Sequence, residues 1–223
     1  MKNNTNNEMK PIVFCNIGWS EFYLGEENDP LIGGGAYVKE TGSGNEHLNY
    51  YPIIVKEDDS DEERTMLLGS FETKHNHGNP NQFRIERIYG CSSLRREDFA
   101  DDVIVVWCAT HPEQGHSCVV GWYNHATVCR FYETMPIDSE DGTEWERWYN
   151  VMCRFEDAIL LPAEVRSEAQ WAIPRHSRRS PVSYGFGQAN VWYAAEPAAE
   201  EFVKRMIQQI ENYAGEDAKC EIL

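Results

Sequence analysis

Short apolar runs separated by polar, turn-rich segments dominate the chain, and this pattern predicts a β-rich fold. Residues 11–17, PIVFCNI, suit a buried strand. In the centre of the chain, residues 102–110, 117–123 and 126–133 predict three successive strands, the last two joined by the two-residue link at 124–125. These three strands predict a meander or the wall of a barrel.

Three further segments predict strands on different patterns. Residues 83–89, FRIERIY, alternate apolar and charged residues, as expected of a strand with one face in water. Residues 148–155 form another apolar run. Residues 47–55 form a strand candidate in which Pro52 indicates an edge or a bulge, because proline cannot donate a hydrogen bond to a neighbouring strand.

The last predicted element is an amphipathic helix that begins near Pro197. Glu200 and Glu201 stand in its first turn, where the positive end of the helix dipole favours carboxylates. Gly215 can end it. Its apolar stripe, which we interpret as core, consists of Phe202, Val203, Met206, Ile207, Ile210 and Tyr213.

These patterns together predict an α+β fold in one domain. We expect a flexible leader at residues 1–9, a single domain at 10–215 with an acidic loop at about 56–66, and a tail at 216–223. No internal repeat and no clear linker divides the chain.

Composition agrees with a packed domain and narrows its partners. The 223 residues are 41% hydrophobic and 12% aromatic, which is enough apolar material for a core. The formal net charge of -17 argues against sequence-independent attraction to nucleic acid, which requires a basic face. Part of that charge is local, in the acidic run at 57–63.

The sequence predicts a cytoplasmic protein with no membrane contact. No window approaches the roughly 20 apolar residues of a membrane helix, and residues 1–10 lack the features of a signal peptide. The seven cysteines are scattered, mostly in apolar runs, and form no C-x-x-C pair. We therefore expect reduced, buried thiols and no zinc ribbon.

Motifs for catalysis, metals and cofactors are incomplete. The glycines at 33–35 lack the lysine and hydroxyl order of a P-loop, and His75-Asn76-His77 is a tripeptide that we place in a loop. His111 and His116 flank a turn but have no third ligand in register. The sequence predicts no cofactor and no metal, nominates no catalytic residue, and favours a binding protein over an enzyme.

Aromatic residues stand where predicted strands meet polar or glycine-rich segments. Trp19, Trp122-Tyr123 and Trp192-Tyr193 follow this placement, which suits either the rim of a barrel or its core. Rim aromatics can stack a flat ligand. Nearby basic residues could clamp a phosphate, or could belong to a solvated loop; they are Arg175, His176, Arg178 and Arg179.

Several stretches resemble a known family. IVFCNIGWSEFYLG, VVWCATHPEQGHSCVVGWYNHATVCR and GFGQANVWYA are similar to the amino-terminal module of bacterial proteins often described as HNH endonucleases, and the resemblance covers most of residues 11–195. Such modules resemble the PUA-like superfamily, which includes the EVE, YTH and SRA domains. The resemblance implies a curved β-barrel with flanking helices that captures a modified base in an aromatic cage.

The resemblance also implies roles for individual residues. It points to Trp19, Trp122, Tyr123 and Trp192 as cage members, with Tyr193 beside them. It assigns hydrogen bonds with the base to Asn190 and to the backbone of Gly33, Gly34 and Gly35. Two departures are the acidic insertion at 56–70 and the lack of room for a nuclease domain after residue 195, so that a nuclease would be a separate partner.

Three functions follow as hypotheses. The first is recognition of a modified nucleobase in DNA or RNA, used in restriction or phage defence. The second is binding of a free nucleotide or nucleotide-derived signal, which fits the acidic charge better. The third is an acidic decoy that mimics DNA, which predicts carboxylates spread over one face and no pocket.

Overall fold

A computed structural model of the protein describes residues 9–33, 44–56, 62–73, 82–138, 144–176 and 181–219. Several sequence predictions fall outside these ranges. They concern residues 1–8 of the leader, residues 57–61 of the acidic loop, the end of the tail from 220, and the residues Gly34, Gly35, His75, Asn76, His77, Arg178 and Arg179.

A single eight-stranded sheet organises the described residues. Its strands are β1 (Ile12–Asn16), β2 (Pro52–Lys56), β3 (Glu63–Gly69), β4 (Phe99–Thr110), β5 (Ser117–Asp138), β6 (Glu144–Arg154), β7 (Ala158–Leu160) and β8 (Val191–Trp192). The order is β2-β3-β6-β5-β4-β1-β8, with β7 paired to β5. Strand β1 runs parallel to β4, and the other pairs are antiparallel.

One α-helix follows the sheet, so the α+β class is confirmed. This helix, α1, spans Glu200–Glu211. The short 3-10 helices are Asn45–Leu48, Ile85–Arg87, Ser92–Leu94, Phe155–Asp157, Val165–Ser167, Ala169–Trp171 and Pro197–Ala199. Within the described ranges, none of the helices has the length and apolar character needed to cross a membrane.

The sheet is open within the described residues, which differs from the expected barrel. Strands β2 and β8 end the strand order and do not pair with each other. Register shifts interrupt the β4–β5 ladder near Ala100, Val103 and Trp107, and such bulges bend strands. The strands therefore form a bent sheet without closing it.

Hydrophobic cores cover both faces of the sheet, two of them large and a third, smaller one formed by Ile53, Leu68, Cys129 and Tyr149. Alternate residues of β1 supply both large cores: Val13 and Cys15 belong to one core, whereas Ile12 and Phe14 belong to the other. The apolar stripe of α1 packs on the second core, as its spacing predicted. Six described cysteines are buried and unpaired: Cys15, Cys91, Cys108, Cys118, Cys129 and Cys153.

Three strand predictions need correction. Residues 83–89 contain the 3-10 helix Ile85–Arg87 instead of a strand, and Glu86 pairs with Arg130 at 2.7 Å instead of facing water. Residues 124–125 are no hairpin turn, because β5 runs through them with His125 at φ 50°. The first half of residues 47–55 is also not a strand, because the 3-10 helix Asn45–Leu48 extends into it and β2 begins only at Pro52. The acidic loop is shorter than expected, since β3 starts at Glu63.

Candidate functional site

A cavity of about 600 Å³ opens beside the short edge strand β8, and we call it the β8 cavity. The GFGQANVWY segment, residues 185–193, supplies part of its wall. Its lining includes Glu72, Phe83, Arg87, His176 and residues 189–196. Ligand cavities in proteins commonly measure about 300–1,000 Å³.

The backbone around β8 is fixed by its neighbours. Phe14 and Cys15 of β1 pair with Trp192 and Val191, and the N–H of Asn16 donates to the carbonyl oxygen of Asn190 at 2.7 Å. Upstream, Gly185 has φ 115°, and a Cβ there would collide with the carbonyl oxygen of Pro174. Only glycine suits that conformation, so the approach to β8 depends on it.

Trp192 forms one aromatic wall of the cavity and is mostly enclosed by other rings. Its ring centroid lies 4.8 Å from that of Phe14, and Tyr184 stacks on it at 6.2 Å with an interplanar angle of 16°. The indole Nε1 donates to the Glu196 carboxylate at 3.0 Å from Oε2 and 3.2 Å from Oε1. Trp192 therefore offers a ligand little more than an edge.

Tyr193 forms a second wall and belongs to a stack of flat groups. Its ring lies nearly parallel to that of Phe83, with centroids 5.5 Å apart and an interplanar angle of 16°. The guanidinium carbon of Arg87 lies 4.5 Å from the Tyr193 centroid. Burial raises the pKa of Tyr193 to about 12, so its hydroxyl stays neutral and accepts a hydrogen bond from the Arg84 N–H at 3.2 Å.

An ion pair holds the segment that carries Phe83 and Arg87. Arg130, which is 5% exposed, donates to Glu86 at 2.7 Å and to the carbonyl oxygens of Leu94 and Glu97. Burial raises the pKa of Glu86, but hydrogen bonds from Arg130 and Arg84 overcome this and hold the pKa at about 2. A carboxylate with two guanidinium partners fixes the short helix beside the cavity.

Hydrogen-bonding groups in the cavity come from Asn190 and Glu72. The Nδ2 of Asn190 donates to Glu72 Oε2 at 3.3 Å. Glu72 is exposed, and Asn190 is partly buried. The side chains of these two residues place acceptor oxygens at the cavity wall, close to the stack of Phe83, Tyr193 and Arg87.

The structure separates the predicted cage residues. Asn190, Trp192 and Tyr193 line the β8 cavity, but Trp122 and Tyr123 are both 0% exposed, on opposite faces of the sheet. They cannot contact a ligand in this conformation, because the sheet and its cores enclose them. The cage that the resemblance implied is therefore not assembled from these residues.

The remaining candidates lie away from the cavity lining. Trp19 packs on His111 with centroids 4.7 Å apart, and the buried Arg166 guanidinium lies 5.0 Å from the Trp19 ring. Gly33 adopts φ 89° with open space around it. Arg175 is exposed and donates to Ser117 Oγ at 2.5 Å and to Asn16 Oδ1 at 3.0 Å, so its guanidinium braces the ends of β1 and β5.

No metal centre is evident in the part of the chain that the structure describes. There, no three His, Cys, Asp or Glu side chains group together as ligands. His111 and His116 do approach each other, but their rings stack, with centroids 5.9 Å apart and an interplanar angle of 14°. Their proximity was expected from the turn between them.

Sequence reasoning missed Glu72, Phe83 and Arg87. The signal in residues 83–89 was misread, because an alternating pattern over seven residues also fits a 3-10 helix whose polar residues pair with each other. Phe83, Ile85 and Ile88 are buried in that segment, whereas Arg87 is exposed. Glu72 follows β3 and carries no sequence signal of its own.

Comparisons with known proteins gave no relative from which a function could be transferred. No protein-family model, no curated protein and no solved structure matched the chain. The resemblance to PUA-like modules therefore stays a prediction, and the function must be argued from the geometry of the site.

Proposed function

We propose that this chain is a binding protein that captures a modified nucleobase of DNA or RNA in the β8 cavity. The observation that carries the proposal is the stack of Phe83, Tyr193 and Arg87 beside the hydrogen-bonding pair Asn190 and Glu72. A flat heterocycle requires this combination of a planar platform and directional polar groups.

In this proposal the platform is the Arg87 guanidinium. Phe83 is buried beneath Tyr193, and Trp192 is enclosed by its aromatic neighbours, whereas Arg87 is exposed and lines the cavity. Guanidinium planes stack on bases as aromatic rings do. Arg87 also supplies positive charge close to the entering nucleotide, where a phosphate needs it.

The base would leave the stack of its own strand and enter the cavity. Base stacking on protein groups contributes roughly 1–3 kcal/mol per base, which can offset an unstacking penalty of a few kcal/mol when hydrogen bonds to Asn190 and Glu72 are added. The net charge of -17 would suppress binding to nucleic acid that offers no captured base.

The proposal extends to the finer fold and the biological setting. We propose a cytoplasmic PUA-like module that serves restriction or phage defence, with any cleavage performed by a separate nuclease partner. The bent sheet, with its interrupted β4–β5 ladder, supports a relation to curved β folds.

The test is direct binding by the full chain to short duplexes and single strands at two salt concentrations. The panel carries methylated and hydroxymethylated pyrimidines, 7-substituted purines and unmodified bases. We expect one modified base to bind at least tenfold tighter than its unmodified form. We expect Arg87→Ala to lower that affinity tenfold or more, since it removes the platform.

Arg95→Ala is the matched control, because Arg95 is exposed, carries the same charge and does not line the β8 cavity. Equal loss in both variants would show a general charge effect and would contradict the proposed site. Absence of binding to every member of the panel would overturn the proposal.

A second candidate, binding of a free nucleotide, is favoured by the acidic charge. A small ligand needs only one or two local cations, and the cavity provides the Arg87 guanidinium. Competition separates the two functions: a free nucleotide that displaces the oligonucleotide at equal or lower concentration would favour this second function over the first.

A further inference from the structure

The side-chain amide of Asn190 is oriented by Glu72. Because Nδ2 donates to Glu72 Oε2 at 3.3 Å, the amide oxygen Oδ1 remains an acceptor for other groups. The backbone of Asn190 is held as well, since its carbonyl oxygen accepts from the Asn16 N–H at 2.7 Å. This end of the β8 cavity is thus a fixed polar wall.

Acceptors dominate that wall. Glu72 Oε1 has no hydrogen-bond partner among the described residues, and an ionised carboxylate cannot donate. Glu196, the other carboxylate of the cavity, already accepts from Trp192 Nε1 with both oxygens. The Glu72 carboxylate is therefore an acceptor that a ligand in the cavity can reach.

We propose that the base held in the β8 cavity presents a guanine-type edge, with N1–H and the 2-amino group directed at Glu72 and Asn190. This inference rests on the proposed function and names the class of base. Guanine carries two adjacent donors on its Watson-Crick edge. Adenine and cytosine place a ring-nitrogen lone pair beside a single amino group, which a carboxylate would repel.

Discrimination follows from the same chemistry. A charge-assisted pair of hydrogen bonds is stronger than a neutral one, and a wrong base would leave the carboxylate facing a lone pair. Any modification must leave N1–H and the 2-amino group free. Substituents at the 7 position are compatible, whereas O6-methylation removes the N1 proton.

The experiment measures affinities of the full chain for nucleosides and for oligonucleotides carrying guanine, hypoxanthine, O6-methylguanine or adenine, each with and without a 7-substituent. Hypoxanthine lacks only the 2-amino group, so we expect at least tenfold weaker binding than for guanine. O6-methylguanine and adenine are expected to bind weaker still.

The diagnostic variant is Glu72→Gln, which replaces one acceptor oxygen by a donor. We expect the preference for guanine over hypoxanthine to fall to within threefold. The matched control is Glu113→Gln, which makes the same charge change at an exposed turn outside the cavity lining and should keep the preference.

The outcomes distinguish this inference from the proposed function. Base binding that depends on Arg87 but shows no preference for guanine, or a preference that survives in Glu72→Gln, overturns the guanine edge and leaves base capture standing. Absence of binding by all bases overturns both.

Discussion

The dipeptide Trp-Tyr occurs three times in the chain, and the copies at 122–123 and 192–193 have different environments. Trp122 and Tyr123 lie inside the long strand β5, which pairs with β4 and β7, and both are fully buried. Trp192 and Tyr193 lie at and just after β8, which pairs only with β1 among the described strands, and both line a cavity. The strand's place in the sheet, and not the residue type, decides which pair can meet a ligand.

The indole nitrogens of the two tryptophans differ in the same way. Trp122 packs between Trp171 at 5.6 Å and Tyr213 at 5.2 Å, and its Nε1 has no hydrogen-bond partner among the described residues. Trp192 directs its Nε1 to Glu196. Trp122 of the inner pair (Trp122 and Tyr123) thus contributes packing, whereas Trp192 of the outer pair (Trp192 and Tyr193) is oriented by a polar neighbour.

The largest expected effect is on the inner pair. Trp122→Ala removes a fully buried indole from a three-ring cluster and should lower the free energy of unfolding by about 3–5 kcal/mol. Urea unfolding monitored by circular dichroism measures this. Where the variant is still folded, it should retain base binding, and a specific loss of affinity there would place Trp122 in the site after all.

The next largest effect on stability is expected at the ion pair of Glu86 and Arg130, which holds the segment beside Tyr193. Glu86→Gln leaves Arg130 buried without its carboxylate and should cost about 3 kcal/mol. Because the folded pKa of Glu86 lies below its ordinary value, at about 2, its contribution is present above pH 4.5 and is lost as pH falls toward 2. Wild-type and variant stabilities should converge over that window.

Glu97→Gln is the control for this change, since Glu97 is exposed and contributes only its backbone carbonyl to Arg130. A pH profile for Glu86→Gln that runs parallel to the wild type from pH 5 to pH 2 would contradict the assignment.

A smaller effect, in which a substitution raises the free energy of unfolding, is expected close to Tyr123. Tyr123 donates to the carbonyl oxygen of Asn49, close to Glu46, which is 7% exposed. Burial raises the pKa of Glu46 to about 7, a shift to which the Glu72 charge adds and which the N–H groups of Glu46 and Gly18 oppose. The folded state therefore binds an extra proton between pH 4.5 and 7, and stability falls as pH rises through that range.

Glu46→Gln should thus stabilise the protein by about 2 kcal/mol at pH 8 and by almost nothing at pH 4. Thermal unfolding at both pH values measures the difference. Glu113→Gln, on an exposed turn, is the matched control. An equal gain in stability in both variants would show that burial of Glu46 is not the cause.

The smallest effect is expected for Tyr193→Phe. This change removes the acceptor of the Arg84 N–H at a partly exposed position, so the loss should be about 0.5–1 kcal/mol. The ring stays on Phe83, and base affinity should remain within twofold in a titration. A tenfold loss would mean that the hydroxyl contacts the ligand directly.

The sequence predicted the class of fold and several elements because their patterns are long or strongly punctuated. β1, β4 and α1 fall where apolar spacing places them. The helix Ile85–Arg87 was not predicted, because a seven-residue pattern fits both a strand and a 3-10 helix. The ion pair between Glu86 and Arg130 joins residues far apart in sequence, so no local pattern predicts it.

The candidate site was predictable only in part. The GFGQANVWY segment indicated Asn190, Trp192 and Tyr193 together, since they are neighbours in sequence. Glu72 and Arg87 reach the cavity from distant segments, and no local pattern could bring them there. Trp122 follows Gly121, and Trp192 follows the GFGQAN segment, so the local sequence does not show which tryptophan is buried. Burial depends on whether the strand is central in the sheet, and a single sequence does not give the order of the strands.

Strand β1 lies between β4 and β8, with Phe14 opposite Trp192. This ladder therefore joins segments near opposite ends of the described chain, and forming it carries a large loop-closure entropy cost. A ligand that stabilises β8 would therefore also slow amide hydrogen exchange in the β1 residues paired with it, although none of them lines the cavity.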